Sequence, residues 1–155
     1  MRMFLAFGCT VLAFLAVSAP AGAMIQVDRG IAGARIGASR SAVKAALGTP
    51  TSTKSGSNEF GPYVRYRFAG GLTVFFQGRT KVTSVQTTGL GDRTSEGVGV
   101  GSPEADADKL KGVKCETIAG FRSCHTSDFL PGKRVTDFHI VGGKVDRVSV
   151  GIVID

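Results

Sequence analysis

Val135–Val150 reads VTDFHIVGGKVDRVSV, and it decides the fold because Leu72–Thr87, LTVFFQGRTKVTSVQT, lies over it without a gap. The overlay matches Thr136 to Thr73, Phe138 to Phe75, Lys144 to Lys81, Val145 to Val82 and Val148 to Val85. A stretch written twice marks an internal repeat. Each copy reads as two β-rich runs joined by a turn, Gln77-Gly78-Arg79-Thr80 in one and Val141-Gly142-Gly143-Lys144 in the other, which is the pattern of a β-hairpin.

Working outward, Ser39 to Pro50 reads as a short helix. Ser39 can cap it, Val43, Ala46 and Leu47 share a face, and Gly48 with Pro50 ends it. Thr51 to Pro62 is rich in Ser, Thr and Gly and reads as an exposed connection. Tyr63–Phe68, Leu72–Gln77 and Lys81–Thr87 read as an antiparallel meander. In the second copy, Ser102 and Pro103 open a helix with Ala107 and Leu110 inward, and Thr117–His125, Val135–Val141 and Lys144–Val153 follow as strands. The expected fold is α+β: two tandem units of a helix plus a three-stranded antiparallel meander, at 24–91 and 92–155, packed as one globular unit. One continuous sheet with both helices on one face accommodates them.

The chain opens with Arg2, an apolar run from Met3 to Val17, and then Ser18-Ala19-Pro20-Ala21-Gly22-Ala23. That order describes a secretory signal peptide over 1–23, with Ala21-Gly22-Ala23 as the cleavage motif. The expected location is secreted, periplasmic or cell-envelope, with no transmembrane span left in the mature chain. Cys9 sits inside the apolar run, without the Leu-x-x-Cys ending of a lipoprotein signal. The formal charge of the whole chain is +7. Lys and Arg are scattered rather than clustered, so the charge suits an acidic protein partner or an anionic surface, and no nucleic-acid motif accompanies it.

In an exported chain, Cys115 and Cys124 most simply form a disulfide, which in the chain-entropy model is worth roughly 2–3 kcal/mol. The rival is a metal or redox site built on Cys124, His125 and His139, but no Cys-x-x-Cys and no helically spaced His pair supports it. No metal or cofactor is expected.

The spacing Gly37-Ala38-Ser39, Val43, Leu47-Gly48, Pro50, followed by Tyr66, Leu72-Thr73-Val74-Phe75, Lys81-Val82 and Val85, resembles a known module. It looks like the helix-plus-meander unit of the small lipoprotein of the outer-membrane barrel-assembly machinery, which occurs twice in proteins of the beta-lactamase inhibitory type. The resemblance covers almost all of the chain after the leader and implies a tandem layout, a disulfide near the second helix and a protein-binding role. Such inhibitors project a carboxylate from the first hairpin, where this chain has Gly78, Arg79, Thr80 and Lys81.

Strand phase supplies the candidate site. Thr136, Phe138 and Ile140 alternate with Asp137 and His139, so the phenylalanine side is read as core. Carried to the first copy, that phase turns Thr73, Phe75 and Gln77 inward. Leu72, Val74 and Phe76 then face outward beside Tyr63, Arg65 and Arg67. The alternative is the opposite phase, with Leu72, Val74 and Phe76 as core. The expected partner-binding face comprises Tyr63, Arg65, Arg67, Leu72, Val74, Phe76, Asp137, His139 and Arg147. No catalytic residues are expected. There is no Gly-x-Ser-x-Gly, and Gly97-Val98-Gly99-Val100-Gly101 lacks the remainder of a dinucleotide fingerprint. Asp137 and His139 share a strand face, where simple solvation is the commoner role. The role is therefore read as non-catalytic protein binding, by an inhibitor of a secreted enzyme or an envelope assembly factor. A carrier of a small apolar or anionic ligand in the sheet concavity is the second reading.

Overall fold

The computed structural model describes residues 22–155, so nearly all of the expected leader lies outside the described residues. Three two-residue strands come first, β1 (Ile25–Gln26), β2 (Gly30–Ile31) and β3 (Ala34–Arg35), followed by helix α1 (Arg40–Leu47). Next come β4 (Ser52–Asn58), β5 (Gly61–Arg67), β6 (Thr73–Gln77), β7 (Ser84–Thr87) and the short helix α2 (Glu104–Asp108). The chain then runs through β8 (Lys114–Ile118), β9 (Phe121–His125), β10 (Arg134–Val141) and β11 (Lys144–Ile152). Strands β1–β3 form a small sheet, while the other eight form a second in the order β4-β5-β6-β7-β11-β10-β9-β8. Every pairing between these named strands is antiparallel.

This corrects the expected fold class. The chain is mostly β, with an eight-stranded sheet, a three-stranded sheet and one substantial helix, and it is not a pair of helix-plus-three-strand units. Three local causes account for the difference. First, the Ser/Thr/Gly stretch read as a connection is strand β4, paired along its length with β5 from Ser52↔Arg67 to Asn58↔Gly61. It is an edge strand with nearly every side chain exposed, so it carries no apolar alternation for sequence reading to detect. Second, the run Thr117–His125 is broken at Ala119 and Gly120, whose φ angles of 49° and 85° make a tight hairpin turn between β8 and β9. Third, α2 has only five residues. The Ser102 hydroxyl accepts from the Gly99 N–H at 3.1 Å instead of capping the helix, and Pro103 in the cap position offers no side-chain acceptor.

Helix α1 forms as its residues dictate. The Ser39 Oγ accepts from the Ala42 N–H, and the Gly48 N–H closes the last turn on the Lys44 carbonyl. Val43 is fully buried, while Ala46, expected on the same face, is exposed. Arg40 and Lys44 lie over the Tyr66 ring, 5.4 and 5.6 Å from its centroid, and the Arg40 Nε donates to the Tyr66 hydroxyl at 2.7 Å. Such contacts fix the helix to the sheet through polar as well as apolar atoms.

The core lies on one face of the large sheet, under α1, α2 and the small sheet. Registered pairs run Tyr66↔Val74, Val74↔Val85, Val85↔Val150 and Val150↔Thr136. A second row runs Thr87↔Val148, Val148↔Phe138, Phe138↔Cys124 and Cys124↔Cys115. All these side chains are buried except Cys115, which is half-buried. Ile25, Ile31, Ala34, Val43, Ala107 and Leu110 close the core from the other side.

Phe138 is core, as its phase predicts, but the phase carried to β6 is wrong. Leu72, Val74 and Phe76 are buried, at 6%, 0% and 0% exposure, and Phe75 is the outward residue. The error lies in the gapless overlay. Buried Leu72, Val74 and Phe76 correspond to buried Thr136, Phe138 and Ile140, whereas Val82, Val85 and Thr87 correspond to Val145, Val148 and Val150. The first correspondence is one residue longer than the second, so the length difference belongs in the turn, which is longer after Phe76 than after Ile140. The shorter turn is built on Gly142 and Gly143, at φ 57° and 74°, as a two-residue hairpin requires. Shifting a strand by one residue exchanges its two faces.

Candidate functional site

The face of the large sheet away from the helices is assembled from the alternate positions of the same strands. One polar row crosses all eight strands: Ser52↔Arg67, Arg67↔Thr73, Thr73↔Gln86, Gln86↔Ser149, Ser149↔Asp137, Asp137↔His125 and His125↔Lys114. Beside it runs Lys54↔Arg65, Arg65↔Phe75, Phe75↔Ser84, Ser84↔Gly151 and Gly151↔Val135. Of the expected face, the structure brings Tyr63, Arg65, Arg67, Asp137, His139 and Arg147 together here. It removes Leu72, Val74 and Phe76 to the core and puts Phe75 in their place.

The basic end of this face holds Lys54, Arg65 and Arg67 around Phe75 and Tyr63. No salt bridge to any of these cations occurs among the described residues, whose ion pairs all involve other groups. The Arg65 Nε is shielded from solvent and lacks a hydrogen-bond partner among the described residues. A buried donor in that state is unfavourable until an acceptor meets it.

The opposite end is apolar. Ile118, Phe121, Ser123, Phe129, Asp137, His139 and Arg147 line a groove of about 340 Å³. Phe121 is 64% exposed and Phe129 44%, with Leu130 at 55%. Sequence reading placed Asp137, His139 and Arg147 on this face but missed the apolar residues that wall the groove. Its one signal was the pair Ile118 and Phe121 flanking the Ala119-Gly120 turn, with both large apolar residues on one strand face.

Three of the polar groups around the groove, Ser123, Asp137 and His139, are already engaged. The Ser123 hydroxyl donates to Asp137. His139 Nδ1 lies 2.6 Å from Asp146 Oδ1, not against Asp137. The buried His125 sits between two acceptors, with Nδ1 2.9 Å from the Ser127 carbonyl and Nε2 2.9 Å from Glu116 Oε1. Cys115 and Cys124 are joined as a disulfide across β8 and β9. The rival metal or redox set of Cys124, His125 and His139 is therefore not assembled, because its sulfur is bonded and both nitrogens of His125 are occupied. The disulfide is a feature of oxidising compartments.

Lys114 organises the charges at this edge, 2.6 Å from Asp128 and 3.2 Å from Glu116. Hydrogen bonding to Asp128, and then to Glu116, raises the Lys114 pKa. The Lys114 ammonium in turn holds the Glu116 and Asp128 carboxyls below their usual range, with His125 adding to the effect at Glu116. These groups are exposed, so they tune the edge rather than hold the fold.

Fold and face together define a mostly antiparallel β protein with one sheet face covered and the other open at its basic end, while Phe129 lies over His125 at the far end. No helix among the described residues is long and apolar enough to cross a membrane. No family model matches the chain, and no curated protein matches it. Among solved structures it is similar to an extracellular protein containing an SCP domain from Bacillus anthracis, with 13% identity and a TM-score of 0.51 over 76% of this chain. It spans 44% of that protein. It is also similar to the uncharacterized protein yfeY from Escherichia coli, with 12% identity and a TM-score of 0.50, covering 84% of this chain and 99% of that one. Likeness at such identity concerns the fold alone.

Proposed function

We propose that this is an exported, non-catalytic protein-binding module that receives an acidic partner on the helix-free face of its large sheet. The observation that carries the reading is the cluster of Lys54, Arg65 and Arg67 around the outward Phe75, without a salt bridge to an acidic residue among the described residues. An aromatic anchor ringed by arginines is the composition that protein interfaces favour. The Cys115–Cys124 disulfide and the leader-like sequence at 1–23 support export to an oxidising compartment, secreted or in the cell envelope. Within this reading, the partner is a secreted enzyme that the module inhibits or an envelope assembly component that it steadies.

The groove lined by Ile118, Phe121, Phe129 and Arg147 favours a second reading, a carrier of a small apolar or anionic ligand. Native mass spectrometry of protein purified from its secreting host separates the two. A retained protein that is lost in Arg65→Ala/Arg67→Ala supports the first reading. A co-purifying small molecule that is lost in Phe121→Ala supports the second.

A further inference from the structure

Among the described residues the large sheet ends in two edge strands, β4 and β8, and an edge strand presents a row of unpaired backbone N–H and C=O groups. We propose that β4 takes an extended acidic segment of the partner as an added strand, one that carries a carboxylate and an apolar side chain two residues apart. The proposal rests on the binding-face reading above and states how the partner engages that face.

The two edges differ in how open they are. Strand β8 has five residues, and its charges are tied up there: Lys114 pairs with Asp128 and Glu116, and Glu116 also bonds to His125. Charge of that kind blunts an edge. Strand β4 has seven residues, paired with β5 at every position from Ser52↔Arg67 to Asn58↔Gly61 with no shift of register. It contains no proline, and Lys54 is its one charged residue. In an antiparallel ladder the residues of a strand alternate in the side to which they direct their backbone groups. Those of β4 that do not bond to β5 therefore direct theirs outward, ready for another strand.

The side chains select what docks. Lys54 is exposed and stands opposite Arg65 on the open face. Two residues on, Gly56 stands opposite Tyr63, and a Cβ on Gly56 would come within 2.8 Å of the Tyr63 hydroxyl. The Tyr63 ring thus lies across the outermost strand. A strand added beside β4 meets an ammonium at one open-face position and an aromatic ring at the next, and side chains on one face of a strand recur every second residue. A carboxylate opposite Lys54 and an apolar group against Tyr63 make the cross-strand pairs that stabilise sheets. A second copy of this chain is the other occupant an open edge invites. Charge opposes it, because pairing β4 with β4 would join two faces that each carry Lys54, Arg65 and Arg67, and like charges across an interface are unfavourable.

The test is binding of a labelled peptide, Thr-Glu-Thr-Val-Thr-Glu-Thr, to the exported protein by fluorescence anisotropy at low salt. Its symmetric pattern offers the carboxylate and the apolar group in either strand direction. Two further peptides carry backbone N-methyl groups, one on the Glu and Val residues and the other on the Thr residues. Only one of these two sets can face β4, so one methylated peptide should lose about tenfold or more in affinity while the other binds like the parent. Lys54→Glu should weaken the parent peptide by a similar factor with an unchanged circular dichroism spectrum. Equal behaviour of the two methylated peptides overturns strand addition, and if the parent still depends on Arg65 and Arg67 the binding-face reading stands without it. No binding of the parent, or binding unchanged in Lys54→Glu, also overturns the proposal; loss of the retained protein in Arg65→Ala/Arg67→Ala then upholds the face reading by itself. A concentration-dependent dimer of the exported protein alone, seen by sedimentation and lost in Ser55→Pro, would give the edge to a second copy and overturn the acidic strand.

Discussion

Phe75 and Phe76 are adjacent in sequence and opposite in environment, which makes their alanine variants a direct test of the strand phase. Phe76 has no exposed surface and packs edge-on against Tyr66, with ring centroids 4.9 Å apart. Truncating a fully buried phenylalanine costs about 3–5 kcal/mol, from lost transfer energy and the cavity left behind. The ring pair adds about 0.5–1.5 kcal/mol that area alone does not capture, which puts Phe76→Ala in the upper part of that range. Phe75 points to the open face and is half-buried, so Phe75→Ala forfeits only part of the transfer term, less than about 2 kcal/mol. For a chain of this size about 1 kcal/mol moves the midpoint by roughly 2–4 °C. Phe76→Ala should therefore melt about 10 °C or more below wild type, and Phe75→Ala within about 8 °C of it. Urea titrations followed by far-UV circular dichroism measure the difference, with an unchanged slope confirming that only stability has moved. If Phe75→Ala were the more damaging variant, the core would lie on the other face of β6 and the proposed binding surface would be lost with it.

Other expectations follow from the same geometry. Phe138→Ala, at the centre of the second core row, should cost about 3–5 kcal/mol by the same assay. Reducing the Cys115–Cys124 disulfide should lower stability by roughly 2–3 kcal/mol in the chain-entropy model, and thiol counting on the oxidised mature protein should find neither cysteine free. The Glu116 and Asp128 carboxyls are depressed by Lys114, so their contribution is present above the ordinary carboxylate range and is lost as pH falls through their lowered values. Lys114, raised by Asp128 and Glu116, contributes below its ordinary value and loses that contribution as pH rises through the raised one. Melting temperature measured against pH should consequently fall less on acidification in Lys114→Gln than in wild type, and an identical acid limb would refute the assignment.

The apolar alternation in β5, β10 and β11 was legible because those strands have one buried and one open face, which writes period two into the sequence. Phe138 was correctly assigned to the core on that basis. The phase of β6 was not legible, because Leu72, Val74, Phe75 and Phe76 are all apolar and either face could be core. Only the turn length before Val82 decides between them. Strand β4 was hidden because backbone pairing to β5, not side-chain burial, holds it in place. On the candidate site, Arg65 and Arg67 were visible as the charged partners of Val64 and Tyr66 in one alternating strand. The apolar groove was not visible, because Phe129 reaches it from the segment between β9 and β10 and no periodicity reports such a contact.

The central claim is that the helix-free face is the binding surface, and site-specific photo-crosslinking tests it most directly. A photoreactive residue would be placed at Thr73, on the open face beside Arg67, and for comparison at Ala46, exposed on the helix side. In the secreting host, the position at Thr73 should capture one discrete acidic protein. That capture should weaken with rising salt, as expected for charge-steered contacts, and should disappear in Arg65→Ala/Arg67→Ala. Capture from Ala46 alone, or capture at Thr73 that survives loss of both arginines, would contradict the account.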